Sequence, residues 1–303
     1  MITRRSVVAL APILAAAGKA RYRVGVTNNT RGGWETDFWL ATRESHEVGY
    51  RNVETFISYL KDSIDKPADV LAKAKAIGVG FITVSNAGPM EMAFNNPAKQ
   101  SQILHEHTKL ARFVRALGGN HLKINLGPRR PTGTTDEDLK ALSDTVDLLG
   151  KRTAAEGVRL AIHPHMWSQF ENRREVDFVL SRTDPKTVAV VLDTGHITLA
   201  GMDPVELTKT LGHRIVEFHL KDTKPATRGG ARERIERPDM IKDPPFFPLG
   251  SGGVDFVAIK KHLDSIGWQG WLTTELDSSP FRPPKESAAI SLRYLRDTMK
   301  VNG

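Results

Sequence analysis

A single (β/α)8 barrel is the fold class this sequence predicts, and three observations predict it. From Arg21 onward, short β-branched runs alternate with longer helical stretches. Eight of each in about 280 residues is the arithmetic of such a barrel. Gly78, Gly118, Gly157, Gly212 and Gly267 each stand just after a helical stretch and shortly before the next strand, where C′ glycines belong. The turn after the first strand, Val26-Thr27-Asn28-Asn29-Thr30, lacks the glycine-rich phosphate loop that a doubly wound open sheet carries there.

In chain order the predicted strands are Tyr22–Val26, Asn52–Phe56, Phe81–Ser85, His121–Asn125, Arg159–His163, Val188–Asp193, Ile215–His219 and Trp271–Glu275. Helical patterning is clearest over Pro97–Leu117, Thr135–Glu156, Asp203–Leu211, Val254–Ile266 and Pro284–Met299. Thr134-Thr135-Asp136-Glu137 and Asp203-Pro204 put acids and proline where a first helical turn favours them. No linker divides residues 21–303, so one α/β barrel domain is expected.

The first twenty residues fall outside that pattern. Thr3-Arg4-Arg5-Ser6 precedes an apolar, alanine-rich stretch from Val7 to Ala17, closed by Gly18-Lys19-Ala20. A charged start, a short apolar core and small residues at its end make a secretory signal, too short to span a membrane. The paired arginines point to the twin-arginine route. The expected location is periplasmic or extracellular, with no membrane association after processing.

The whole chain has 43 Lys and Arg against 35 Asp and Glu, a net charge of +8. Loss of Arg4, Arg5 and Lys19 leaves 40 against 35, or +5. There is no run of like charge and no basic stripe interleaved with aromatics, which argues against a nucleic-acid partner. The absence of cysteine excludes disulfides, a thiol nucleophile, thiolate-bound zinc and cysteine-ligated iron–sulfur clusters. Any metal must be held by imidazole or oxygen.

Chemistry in a barrel lies at the C-terminal ends of its strands, and alternate side chains point inward. By that parity Ala161, His163 and His165 share the inner face of the fifth strand, and Ala189, Val191 and Asp193 that of the sixth. Glu217, His219 and Lys221 share the seventh, opposite Val216, Phe218 and Leu220; Trp271, Thr273 and Glu275 share the eighth. Glu54, Lys123 and Asn125 also point in and are expected to meet substrate, with Glu217. Four consecutive strands thus end in His163, Asp193, His219 and Glu275. Buried groups of this kind need partners, and a divalent cation satisfies all four at once. Two imidazoles and two carboxylates suit Mn, Co, Zn or Fe better than Mg. His196, three residues past Asp193, and Lys221 are expected at the same rim. The long connection from Thr223 to Asp255 carries Arg228, Arg232, Arg234 and Arg237, then Phe246-Phe247 among prolines. It reads as a lid or binding loop whose arginines, Arg228 among them, could meet an anionic substrate or a partner subunit, or stand as solvated surface charge.

Four segments resemble the sugar phosphate isomerase/epimerase group of xylose isomerase-like barrels. They are Leu192-Asp193-Thr194-Gly195-His196, His219-Leu220-Lys221-Asp222, Pro248-Leu249-Gly250-Ser251-Gly252-Gly253-Val254-Asp255-Phe256, and Gly267-Trp268-Gln269-Gly270-Trp271 leading to Glu275. The resemblance spans Arg21 to Val301. It implies one divalent metal on a Glu, Asp, His and Glu at strands five to eight. Asp193, His219 and Glu275 match that pattern residue by residue. The first position departs from it: where the family reads Glu followed two residues later by His, this chain reads His163-Pro164-His165.

The resemblance implies a metal-dependent sugar isomerase or epimerase acting through an enediolate on a ketose or keto-sugar. Glu275 would be the proton-taking carboxylate and His165 its acid/base partner, with His196 and Lys221 on substrate oxygens. Replacement of the first Glu by His163 removes one of two symmetrical bases. That leaves β-elimination by a keto-sugar or inosose dehydratase as an alternative, and a non-catalytic sugar-binding barrel as another. Export favours free sugars, glycosides or their keto forms over phosphate esters. The partner is a small sugar, and the sequence is compatible with a homo-oligomer.

Overall fold

The computed structural model describes residues 21–86 and 92–301. The expected export signal lies outside the described residues. Eight strands form one all-parallel sheet in the order β3-β2-β1-β8-β7-β6-β5-β4. They are β1 (Arg21–Thr27), β2 (Asn52–Phe56), β3 (Gly80–Ser85), β4 (His121–Ile124), β5 (Arg159–Ile162), β6 (Val188–Asp193), β7 (Ile215–Leu220) and β8 (Gln269–Thr274). β1 pairs with both β2 and β8, so the first and last strands close the barrel. The seam between β3 and β4 is held by side chains. The Asn86 amide donates to the Asn125 carbonyl at 3.0 Å and accepts from the Asn125 N–H at 2.7 Å.

The helices cover this sheet. The main ones are α1 (Phe38–Val48), α3 (Pro67–Ile77), α4 (Gln100–Ala116), α5 (Asp136–Ala155), α6 (Arg173–Ser181), α8 (Pro204–Leu211), α9 (Phe256–Ser265) and α10 (Pro284–Asp297). Two short helices, α2 (Ile57–Leu60) and α7 (Thr194–Leu199), follow β2 and β6 directly. Caps sit where their residue types predict. Thr135 and Asp138 form a capping box on α5, Asn172 and Glu175 one on α6, and Asp203 accepts from Val205 N–H at the start of α8. Among the described residues no helix is long and apolar enough to cross a membrane.

Two local expectations are corrected. Gly78, Gly118, Gly157 and Gly267 have positive φ, but Gly212 has φ −44° and is not a left-handed cap. It is small because a Cβ would meet Ile266 at 2.9 Å. Val216, expected to face the helices, packs instead against the interior trio Ala161, Ala189 and Val191. The register slips there, Val190 pairing with Ile215 and Val191 with Glu217, so β7 carries one extra residue.

Beside this apolar trio the barrel interior is polar. Glu217 is fully buried between His121 Nε2 at 2.7 Å and the Thr273 hydroxyl. Lys123 Nζ lies 3.4 Å from Glu54. Each of these charges is matched within the barrel, as burial demands.

Candidate active site

Three of the four strand-end groups are pinned by backbone contacts at the limit of the ladder. The His163 N–H donates to the Ile124 carbonyl and the Glu275 N–H to the Leu220 carbonyl, both at 3.1 Å. Asp193 ends β6 and caps α7, its Oδ1 accepting from the His196 N–H at 2.8 Å. Gly195 lets that turn close down, since a Cβ there would lie 2.9 Å from Phe246 and 3.0 Å from Lys221.

The donor atoms of His163, Asp193, His219 and Glu275 all lie within 4.8 Å of one another. His163 Nε2, Asp193 Oδ2, His219 Nδ1 and Glu275 Oε2 are buried, and none takes a hydrogen bond. The far nitrogens are engaged. His163 Nδ1–H donates to Asn125 Oδ1 at 3.0 Å, and His219 Nε2–H to Glu54 Oε2 at 2.8 Å. In their neutral tautomers these contacts turn a lone pair of each imidazole toward the shared centre, as outer partners do for metal-bound histidines. Four buried, converging donors of mixed nitrogen and oxygen type fit a divalent cation.

His219 Nδ1 also pairs with Glu275 Oε2, so a proton and a cation compete for that nitrogen. Burial pushes Asp193 up to about 6, against the pull of Lys221. Burial works against a proton on His219, yet Glu275 and Glu54 outweigh it and raise its pKa to about 10. Burial, reinforced by Lys123 and His219, holds His163 well below the usual histidine range. Glu275 is held well below the ordinary carboxylate range, because His219 and Lys221 overcome the cost of burial.

A second group forms the rim. The Lys221 ammonium, 1 % exposed, lies 3.1 Å from Asp193 and 3.3 Å from Glu275 and pairs with Asp277. His165 donates its Nδ1–H to the Met166 carbonyl at 2.6 Å, so its Nε2 carries the lone pair. Burial lowers its pKa to about 4, which keeps it neutral. His196 packs against His165 with ring centroids 3.6 Å apart and against Phe246 at 4.7 Å. Both of its ring nitrogens are buried without a hydrogen bond.

A mouth cavity of about 450 Å³ opens above these groups, lined among others by Asn29, Arg31, Asn125, His165, Trp167, Arg237 and Asp277. Of the expected substrate contacts, Asn125 lines it. Glu54 stands behind His219, Lys123 is buried against Glu54, and Glu217 lies a layer deeper. Arg228 turns aside to Asp255 and the Gly252 carbonyl. Asp222 makes no ion pair with Lys221. Its carboxylate collects the N–H groups of Thr223, Gly250, Gly252 and Val254 at 2.8–3.0 Å, anchoring the glycine-rich end of the lid. Sequence reasoning missed Asp277, which one more step of the parity from Glu275 reaches. It also missed Asn29, Arg31 and Trp167, for which loop sequence carries no comparable signal.

Residues 42–298 match the profile of the family described as xylose isomerase-like TIM barrel. The chain is 31 % identical over 272 residues to an inosose dehydratase of Geobacillus thermodenitrificans strain NG80-2, covering 88 % of this chain and 91 % of that protein. A sugar phosphate isomerase/epimerase from Parabacteroides distasonis superposes with a TM-score of 0.71 at 19 % identity, covering 94 % of this chain and 100 % of that one. An IOLI protein crystallised with a zinc atom superposes at 0.67 and 19 % identity, covering 90 % of this chain and 96 % of that one.

Proposed function

From the premise that this chain belongs to the xylose isomerase-like TIM barrel family, we propose that it catalyses metal-dependent β-elimination, a dehydratase or lyase reaction, on a keto-sugar or keto-polyol. One observation carries the choice between elimination and epimerisation. Where the family pattern has two carboxylates facing each other, the first position is His163, and its Nδ1 is committed to Asn125. Glu275 is the one member of the donor set whose side chain reaches solvent, 7 % against at most 1 % for the others. Elimination needs one base and one acid, which this asymmetry supplies; epimerisation needs a base on each face. Dehydration by the curated relative supports the same reading.

His163, Asp193, His219 and Glu275 would hold a divalent cation, which supplies Lewis-acid polarisation of a substrate carbonyl when bound. The remaining chemistry belongs to the chain. Glu275 takes the proton from the carbon beside the carbonyl, and the C–H electrons become the new C=C bond. The β C–O bond breaks, and the departing oxygen takes a proton from the Lys221 ammonium, held beside Glu275. Lys221 is pushed above the ordinary lysine range: burial works against its charge, but Asp193, Asp277 and Glu275 outweigh it. It therefore stays charged until substrate displaces part of that pairing. His165 Nε2 and His196 accept or orient substrate hydroxyls.

Incubation with inosose and keto-sugars in D2O tests this. The expected result is a conjugated enone absorbance with loss of water, and a fall in kcat of at least about 100-fold in Glu275→Gln. Epimer or isomer formation with C–H exchange and no enone would establish the isomerase reading instead. One feature favours that second reading: the bare Nε2 of His165 can serve as a second base.

A further inference from the structure

A second cavity adjoins the mouth cavity. Trp167 is a wall shared with this outer cavity of about 620 Å³, framed by Arg129, Arg130, Thr132, Gly133, Arg234 and Glu236. Each compartment is large enough to enclose a whole small ligand, for which roughly 300–1,000 Å³ is usual.

Trp167 is built as a fixed divider. Its backbone lies in the left-handed region at φ 65°, which costs a non-glycine residue on the order of 1 kcal/mol or more and persists only where the surroundings impose it. Here they do. Its N–H donates to Glu171, its carbonyl accepts from the Arg129 N–H at 3.0 Å, and its indole N–H donates to the Ile235 carbonyl at 3.1 Å. One region of the ring lies edge-on to His196, with centroids 6.0 Å apart. The side chain thus links the reacting groups to the outer cavity.

The outer lining is rich in charge and nearly neutral in sum. Arg129 pairs with buried Glu175 at 2.6 Å, Arg234 with buried Glu171 at 3.0 Å and with Glu236 at 2.6 Å, and Arg130 with Asp138. Because each guanidinium already faces a carboxylate, the cavity has no surplus charge to recruit a phosphate or carboxylate group. What it offers is N–H donors and oxygen acceptors beside an indole ring. That combination suits the hydroxyls and the C–H face of a neutral sugar.

We propose that the substrate is a disaccharide, its keto-bearing ring in the inner cavity against Asn125, His165 and Asp277, and its second, uncharged sugar unit in the outer cavity against Trp167. This rests on the reading of the inner cavity as a sugar site.

Isothermal titration of the full chain with glucose, and with glucose disaccharides covering α- and β-linkages, tests it. At least one disaccharide is expected to bind about tenfold or more tighter than glucose. Trp167→Ala, and independently Thr132→Trp, which crowds the outer cavity from an exposed position, are expected to reduce that ratio to near one, with melting temperatures confirming that both fold. Equal affinity for glucose and every disaccharide overturns the inference, as does a preference that survives both variants or tighter binding of an aryl glucoside than of any disaccharide. A disaccharide preference in a protein that forms no enone from keto-sugars supports the two-compartment site and rejects the elimination chemistry. Enone formation from a keto-monosaccharide, with no gain from a second ring, does the reverse.

Discussion

Asn125 shows how much depends on single atoms at the residue scale. Its backbone closes the β3–β4 seam through Asn86, while its side-chain oxygen fixes the His163 ring so that Nε2 faces Asp193. Outer partners of this type typically contribute 10–100-fold in metal affinity. Asn125→Ala is therefore expected to weaken metal binding by about that factor. His163→Ala, which removes the donor itself, is expected to lower metal content well below one equivalent by plasma mass spectrometry. Full metal retention in His163→Ala would move the first donor elsewhere.

Elements in this barrel start and stop where local chemistry directs. α5 begins at Thr135, whose hydroxyl accepts from the Asp138 N–H, and Asp138 returns the bond to the Thr135 N–H. Thr135→Ala is expected to cost about 1 kcal/mol, measurable by urea denaturation. The Asp138 carboxyl lies below the usual aspartate range: burial would raise it, but the bonds from Thr135 and Asn95 and the charge of Arg130 outweigh that. A depressed folded-state value means the stabilisation is fully present above the unfolded value, about pH 4, and is lost as pH falls through the folded one. The stability gap between wild type and Asp138→Asn is thus expected to be widest near neutrality and to shrink in acid. A pH-independent gap would assign the effect to packing.

For the whole molecule, charge in the barrel is arranged by depth. Matched pairs such as His121–Glu217 and Lys123–Glu54 lie within the strands, and the donors of His163, Asp193, His219 and Glu275 gather at the strand ends beside Lys221. Unmatched charge is costly in an interior and tolerable where a ligand completes it. Where the protein meets its substrate is a separate question, posed by residues 1–20. Replacement of both Arg4 and Arg5 by Lys is expected to retain the precursor in the cytoplasm, read by cell fractionation and immunoblotting. Unchanged export would reject the twin-arginine assignment.

The sequence by itself determined the barrel, because β-branched runs, cap residues and post-helical glycines are local signals that repeat with each βα unit. It also determined that His163, Asp193, His219 and Glu275 stand at the ends of consecutive strands, since the two-residue period of a strand assigns each a face. Only the tertiary structure decided what each polar group faces. Glu54, Lys123 and Glu217 share the inward parity of the strand-end donors, yet cross-barrel partners commit Lys123 to Glu54, Glu54 also to His219, and Glu217 to His121. Arg228 is drawn away by Asp255, and Asp222 is consumed by the loop it anchors. Trp167 and the two compartments arise from loops that meet only when eight strands close, and contacts between residues so far apart in the chain leave no local pattern to read.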